Sequence, residues 1–273
     1  MLIVDSQVHI WAADTPERPW APGVKPHRLE PLGKDELLRE MSAAGVDRAV
    51  LVPPRLEGAR NDLAIAAAED HPDRFAVMGK LDPDEAHPRR ALAGWRADPG
   101  MLGVRINFKT KPETLATGRM DWAWSVAEKA GVPMYVGVTH PDVHFIDAVA
   151  ARHPGLRLIL DHMALASGAK DDEAFRDVDK LLAIAKRPNV GVKVSALPCY
   201  STAPYPYLNL HPYVRRVYDA FGPQRMFWGS DLSRLNGSYR QCVTMFTEEM
   251  AWLSASDLDW IMGRALCQWI GWD

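Results

Sequence analysis

Cysteine is scarce in this 273-residue chain: Cys199, Cys242 and Cys267 are widely separated and odd in number. That pattern excludes a disulfide framework and fits reduced thiols. Cys199 has no paired base in the sequence, so a packed thiol is its simplest role. Charge of one sign is lacking as well. The formal net charge is −3, so no basic field points to nucleic acid or to a membrane surface. No apolar run is long enough to span a bilayer. The first residues enter a strand-like run without a charged leader or cleavage motif, which predicts no signal peptide and a cytoplasmic location. Glycine-rich phosphate turns are missing too: there is neither a GxGxxG nor a P-loop.

What is present is alternation. The chain is 47% hydrophobic, enough core for one domain over residues 1–273. Strand-like runs fall at 2–4, 49–52, 75–81, 103–108, 133–138, 156–160, 190–194 and 225–228. Amphipathic stretches separate them at 34–44, 61–70, 86–97, 122–130, 143–152, 172–186 and 213–221, and two more close the chain. Most of these helices end at Gly or at His-Pro, both of which stop a helix. Strict strand–helix alternation predicts parallel strands with crossover helices. Eight units in this length predict an α/β fold, a (β/α)8 TIM barrel. An open doubly wound sheet is the alternative, and it would normally carry the missing phosphate turn. Two proline-rich segments, 12–31 and 198–212, would lie at the C-terminal face of the barrel after strands one and seven. Loops of that length are usually lids or binding loops.

A barrel concentrates function at the C-terminal ends of its strands. Gln7 and His9 are two apart and would share one face of strand one. Arg55 follows strand two, Lys80 and Asp82 end strand three, and Arg105 and Asn107 lie in strand four. Strand five offers only Gly137, with His140 a turn later. Strand six ends in Asp161 and His162, strand seven carries Lys193 and Ser195, and strand eight runs into Asp231. Each residue alone has a structural explanation: Arg105 can pair with Asp82 or Asp161, Lys193 can snorkel, and Asp161 can brace the barrel. Convergence of so many ionisable groups at one end is costly unless it is used.

Five runs occur in order: Asp5-Ser6-Gln7-Val8-His9-Ile10-Trp11, Leu160-Asp161-His162-Met163, Val192-Lys193-Val194-Ser195, Trp228-Gly229-Ser230-Asp231 and the stretch 261–266. Together they resemble the amidohydrolase superfamily, in its amidohydrolase 2 branch, from Leu2 to about Trp272. The branch includes lactonases, decarboxylases of aromatic acids and related hydratases. Its pattern supplies a His-x-His from strand one, a His from strand five, a His from strand six and an Asp from strand eight. The resemblance implies that His9, His162 and Asp231 fill three of these places. Gln7 departs from the pattern, and strand five holds no His. An amide is a poor zinc ligand compared with imidazole. His9, His162 and Asp231 remain candidate ligands for one divalent transition metal such as zinc, with His140, later in its loop, a more remote one, and the departures favour chemistry that requires no tightly bound metal.

The runs 103–108 and 160–163 also resemble the 2-pyrone-4,6-dicarboxylate lactonases, a metal-independent group within the branch. That resemblance implies Asp231 as the general base on water. It implies His162 and His9 as groups that polarise a carbonyl and stabilise its oxyanion. Arg105 and Lys193 would hold an anionic group of the substrate. Gln7 would donate to the carbonyl or the water, and Trp11 and Tyr200 would supply aromatic contacts from the two long loops. Ala164-Leu165 follow the Asp-His-Met run where the related lactonases carry an Arg, which argues against a doubly anionic substrate. The expected activity is hydrolysis of a lactone or related cyclic ester of a small organic acid. The alternatives are a metal-dependent decarboxylase or hydratase of an aromatic-derived acid, and a catalytically inactive barrel that binds a ligand. The expected partner is a small, anionic molecule, and homo-oligomerisation stays open.

Overall fold

Short apolar segments rich in Val, Ile and Leu form strands buried on both faces, as a parallel sheet requires. In the computed structural model, which describes residues 1–28, 30–82 and 87–273, they are β1 (Val4–Val8), β2 (Arg48–Leu51), β3 (Phe75–Lys80), β4 (Met101–Asn107), β5 (Met134–Gly137), β6 (Leu158–Leu160), β7 (Val190–Ser195) and β8 (Met226–Gly229). They pair in parallel and in chain order, β1 to β8. Helices such as Lys34–Ala44, Asp121–Ala130, Val143–Arg152 and His211–Phe221 alternate with them. This is the (β/α)8 barrel that the alternation predicts.

Two apolar clusters fill it. Inside the ring, Val4, Val50, Ala76, Met78, Tyr135, Ile159 and Phe227 stack, with Ala265, Leu266, Ile270 and Trp272 packed against them. The second, larger cluster joins the outer faces of the strands to the helices. Two predicted helices differ from expectation. The stretch 86–97 is a helix at Pro88–Ala93 and a separate turn at Trp95–Ala97, divided at Gly94; Ala86 lies outside the described residues. The stretch 172–186 breaks into Asp171–Phe175, Val178–Ala183 and a tight turn at Ile184–Lys186. Phe175, at the first break, stacks on Tyr213 with ring centroids 4.1 Å apart. Among the described residues no helix is long and apolar enough to cross a membrane.

The ring closes between β8 and β1 by an unusual joint. Asp231 N donates to the Gln7 carbonyl at 2.9 Å. The rest of the joint is a side chain. Asp5, fully buried, accepts from Gln7 N and Ser230 N, each at 2.9 Å, from the Tyr239 hydroxyl at 2.7 Å, and from the Ser230 hydroxyl. Gly229 allows this close approach, because a Cβ there would collide with Ser6 Oγ. The register of β1 against β2 also shifts between Asp5 and Val8. Such an irregularity re-aims the side chains that follow it, here Gln7 and His9.

Burial pushes the Asp5 carboxyl up from 3.8 to about 6, against the lowering effect of its donors. A carboxyl whose folded pKa is raised favours folding while it is protonated and loses that contribution as pH rises through the folded value. We predict that Asp5→Ala, which strands four donors, lowers the unfolding free energy by about 3 kcal/mol or more in denaturant titrations. Asp5→Asn should cost less and should flatten the part of the stability profile that falls between about pH 4 and 6.

Candidate active site

At the C-terminal end of the ring lies a cavity of about 390 Å³. Its lining includes His9, Trp11, Arg105, Asn107, Lys109, His162, Asp231 and Arg234, with Lys25 and His27 from the first long loop and Arg55 after β2. Two strand ends deliver the chemistry through left-handed backbone. His162, Met163 and Ala164 follow β6 with φ of 49°, 51° and 56°, and Asp231 follows β8 with φ 52°. For residues with a Cβ this conformation is strained, and it persists only where neighbours enforce it. The neighbours are present: His140 Nε2 lies 3.0 Å from the Met163 carbonyl, and Leu165 N donates to the His162 carbonyl at 3.0 Å.

His9, His162 and Asp231 meet on the cavity floor. His9 Nε2 is 3.3 Å from Asp231 Oδ1, and His162 Nε2 is 3.7 Å from Asp231 Oδ2. Arg234 Nη1 donates to Asp231 Oδ2 at 3.0 Å. Oδ1, though buried, has no hydrogen-bond partner among the described residues. Burial would raise the Asp231 pKa, but His9, His162 and Arg234 outweigh it and hold the carboxyl well below the usual range. Burial lowers His9 to about 4, so its imidazole is neutral at physiological pH, and burial likewise pushes His162 well down.

The tautomer of His9 follows from its partners. Nδ1 sits 2.5 Å from the Val52 carbonyl, which can only accept, so Nδ1 carries the proton. Nε2 then presents a lone pair, and the Gln7 amide nitrogen faces it at 3.3 Å. The Gln7 orientation is fixed in turn by Lys193, whose ammonium can only donate and takes the amide oxygen. His9 therefore cannot donate to an oxyanion in its neutral form, contrary to the role implied by resemblance. His162 differs: its Nδ1 is 2.8 Å from the Ser195 hydroxyl, which can donate to it and leave Nε2–H aimed toward Asp231 and the cavity.

Several expected contacts fall elsewhere. Lys193 is fully buried inside the ring. Its ammonium lies 2.5 Å from Asp161 Oδ1 and 3.8 Å from the Tyr135 ring centre, away from the cavity lining. Burial, partly offset by Asp161, pulls Lys193 down to about 8. Asp161 also accepts from Arg105 Nε at 2.7 Å. Burial opposes ionisation of Asp161, yet Lys193, Arg105 and His162 together hold its pKa well below normal. Gln7, fully buried, sits beneath the cavity and supports His9 rather than reaching a ligand. Tyr200 is fully buried with Arg234 over its ring at 5.8 Å, so it supports that arginine and does not line the cavity. Arg105 and Trp11 do line it.

The two long loops part ways for the same reason. Segment 198–212 packs down: Asp171 accepts from Thr202 N and Asn209 Nδ2, and the Tyr205 hydroxyl meets Thr244 at 2.9 Å. It contributes nothing to the lining, so its expected role as a lid is not what the geometry gives. Segment 12–31 does cover the mouth. Arg18 ties it to Glu57 and Asp62, and His27 Nδ1 reaches Ser233 Oγ across the cavity at 3.1 Å. The sequence pointed to neither Arg234 nor Lys109. Arg234 sits three residues past Asp231, a spacing that returns it to that carboxylate in the turn Leu232–Arg234. Lys109 lies two residues past the end of β4.

The donor set is a poor fit for zinc. Among the described residues no group of three or more His, Cys, Asp or Glu side chains is placed to hold a metal ion. The Gln7 amide N–H groups face the His9 lone pair that a metal would need, and His140 points away to the Met163 carbonyl.

A parallel eightfold barrel with His, His and Asp at its C-terminal mouth defines a class of barrel hydrolases. The family model described as amidohydrolase matches residues 4–265, and the chain belongs to that family. An L-fucono-1,5-lactonase of Burkholderia ambifaria is 29% identical over 252 residues, covering 86% of this chain and 82% of the relative. A 4-sulfomuconolactone hydrolase of Hydrogenophaga intermedia is 26% identical over 72% of this chain and 64% of its own length. An amidohydrolase of Burkholderia multivorans, solved with bound zinc, superposes over 100% of both chains with a TM-score of 0.83 at 22% identity.

Removing the buried ammonium tests the support beneath His9. Lys193→Met leaves Asp161 with one fewer cation and the Gln7 amide without its anchor. We expect a loss of about 3–5 kcal/mol in unfolding free energy, read from denaturant midpoints.

Proposed function

We propose that this protein is a hydrolase that opens a lactone, or a related cyclic ester, of a small organic acid, with Asp231 as general base. The observation that carries the reading is the state of Asp231: ionised, pinned through Oδ2 by Arg234, with Oδ1 unpartnered beside the His9 lone pair. Among the described residues Oδ1 is open to accept from a water on the cavity floor, while the His9 lone pair already faces the Gln7 amide N–H. As the water oxygen attacks the ester carbonyl carbon, Asp231 Oδ1 takes its proton. Negative charge then grows on the carbonyl oxygen, where His162 Nε2–H and the nearby cations stabilise it. When the ring C–O bond breaks, the departing alkoxide recovers the proton from Asp231 and the product is a hydroxy acid.

One physical point favours an ester over an amide: a lactone alkoxide is a better leaving group than an amine. Lys25, Arg55, Arg105, Lys109 and Arg234 line the cavity, with Asp231 the only carboxylate in the lining among the described residues, which supports an anionic substrate. The lactonase names of the relatives support the same chemistry. We further propose that no tightly bound metal is required and that the enzyme acts in the cytoplasm. A metal-dependent decarboxylase or hydratase finds no closed donor set among the described residues. An inert binding barrel has no use for a buried, half-paired carboxylate.

L-Fucono-1,5-lactone and small carboxylated lactones form the first substrate panel. With the substrate found there, Asp231→Asn should reduce kcat by about 10³-fold with an unchanged circular dichroism spectrum. Wild-type turnover in that variant would rule out the general base. Chelator dialysis followed by elemental analysis provides a separate check. We expect hydrolysis to persist in protein holding far less than one metal per chain, and activity restored only by added zinc would reverse that part of the reading.

A further inference from the structure

Away from the mouth of the barrel, the start of the helix Val143–Arg152 and the stretch 180–186 enclose a second cavity of about 280 Å³. That is close to the lower end for small-molecule sites, about 300 Å³. It shares no lining residue with the catalytic cavity. Val143 and Ile184, both buried, form apolar walls together with Pro141 and Ala183. Lys180 and Lys186 also line it, and each already has a carboxylate: Asp177 Oδ1 at 3.0 Å and Asp147 Oδ2 at 3.5 Å. These lysines therefore do not call for an anion.

One polar atom is left over. His140 is only 5% exposed, and its ring lines the cleft. Its Nε2 lies 3.0 Å from the Met163 carbonyl, which can only accept, so Nε2 carries the proton. Burial holds the imidazole below its usual pKa, so it is neutral at physiological pH. Nδ1 then keeps a lone pair, and among the described residues nothing donates to it. A buried acceptor without a donor carries a desolvation cost that a visiting O–H would relieve. An apolar cleft with one free acceptor is complemented by an apolar ring that bears one hydroxyl. A phenol supplies both. Like a tyrosine side chain, with a pKa of about 10, it keeps its proton at neutral pH. Its ring face also suits the nearby ammonium groups better than an aliphatic chain does.

We propose that this outer cleft is a binding site for a small neutral phenol, with its ring against Val143 and Ile184 and its hydroxyl donating to His140 Nδ1. The site does not depend on the lactonase reading and is tested without turnover. His140 also braces the Met163 carbonyl in the left-handed turn that carries His162, so the occupant meets that turn through a single ring.

The probes are 4-methylphenol and its methyl ether, 4-methylanisole, which keeps the ring and loses the donor. Each is titrated into the protein labelled with 15N-histidine and followed by NMR. Wild-type protein should bind the phenol about tenfold more tightly than the ether. The His140 Nδ1 resonance should move upfield on adding the phenol and stay in place on adding the ether. Ala183→Trp, at an exposed position on the cleft wall, should weaken phenol binding by about tenfold with an unchanged circular dichroism spectrum, because the indole fills the space. Equal affinity for phenol and ether would overturn the proposal with no variant needed. So would a His140 Nδ1 resonance that ignores the phenol at saturation. Undiminished phenol binding by Ala183→Trp would place the molecule in another cavity and overturn it as well.

Discussion

Asp5 joins the last strand of the barrel to the first, and the site inherits its geometry from that joint. Its carboxylate takes two backbone N–H groups and two hydroxyls from both sides of the seam. The strands that meet there are the ones that carry Gln7, His9 and Asp231. Backbone and base are coupled through one further bond, from Asp231 N to the Gln7 carbonyl. Two irregularities flank the joint: the left-handed turn at Asp231 just past β8, and the register shift of β1 against β2 that precedes Gln7 and His9.

Beneath the floor a second constraint acts through charge. Asp161 stays ionised inside the ring because Lys193 and Arg105 share it. Lys193 then takes the oxygen of the Gln7 amide, which turns the amide nitrogen toward His9. Gln7 is therefore part of a connected arrangement. Its downstream effect is a neutral imidazole whose Nε2 faces the Gln7 amide, beside a carboxylate whose Oδ1 has no hydrogen-bond partner among the described residues.

Much of this was legible in the sequence, and the limits are instructive. Alternating apolar and amphipathic runs define the barrel, because a parallel strand and its crossover helix have different periods. Asp231, His162 and His9 are readable as strand-end residues, and they do converge. Lys193 was misplaced because a two-residue period gives the face of a strand but not the depth within the ring: it points inward as expected, below the cavity. Tyr200 and the segment 198–212 look like a lid by length and composition. Their direction depends on distant partners, Asp171 and Thr244, that no local pattern reveals. Lys109 and Arg234 lie past the strand ends, where turn geometry decides what a side chain reaches. His9 adds a subtler limit. Its position was readable, but its tautomer depends on the Val52 carbonyl, 43 residues away.

The cavity draws its floor and its roof from separate parts of the chain. The floor is locked by buried pairs and strained backbone, whereas the roof, segment 12–31, meets the strand-eight side, among the described residues, through one hydrogen bond, His27–Ser233. Chemistry and selectivity are thus written in different places. The roof can diverge in length and composition while the hydrolytic floor is inherited unchanged, so a lineage of such barrels can change its diet without reinventing its reaction.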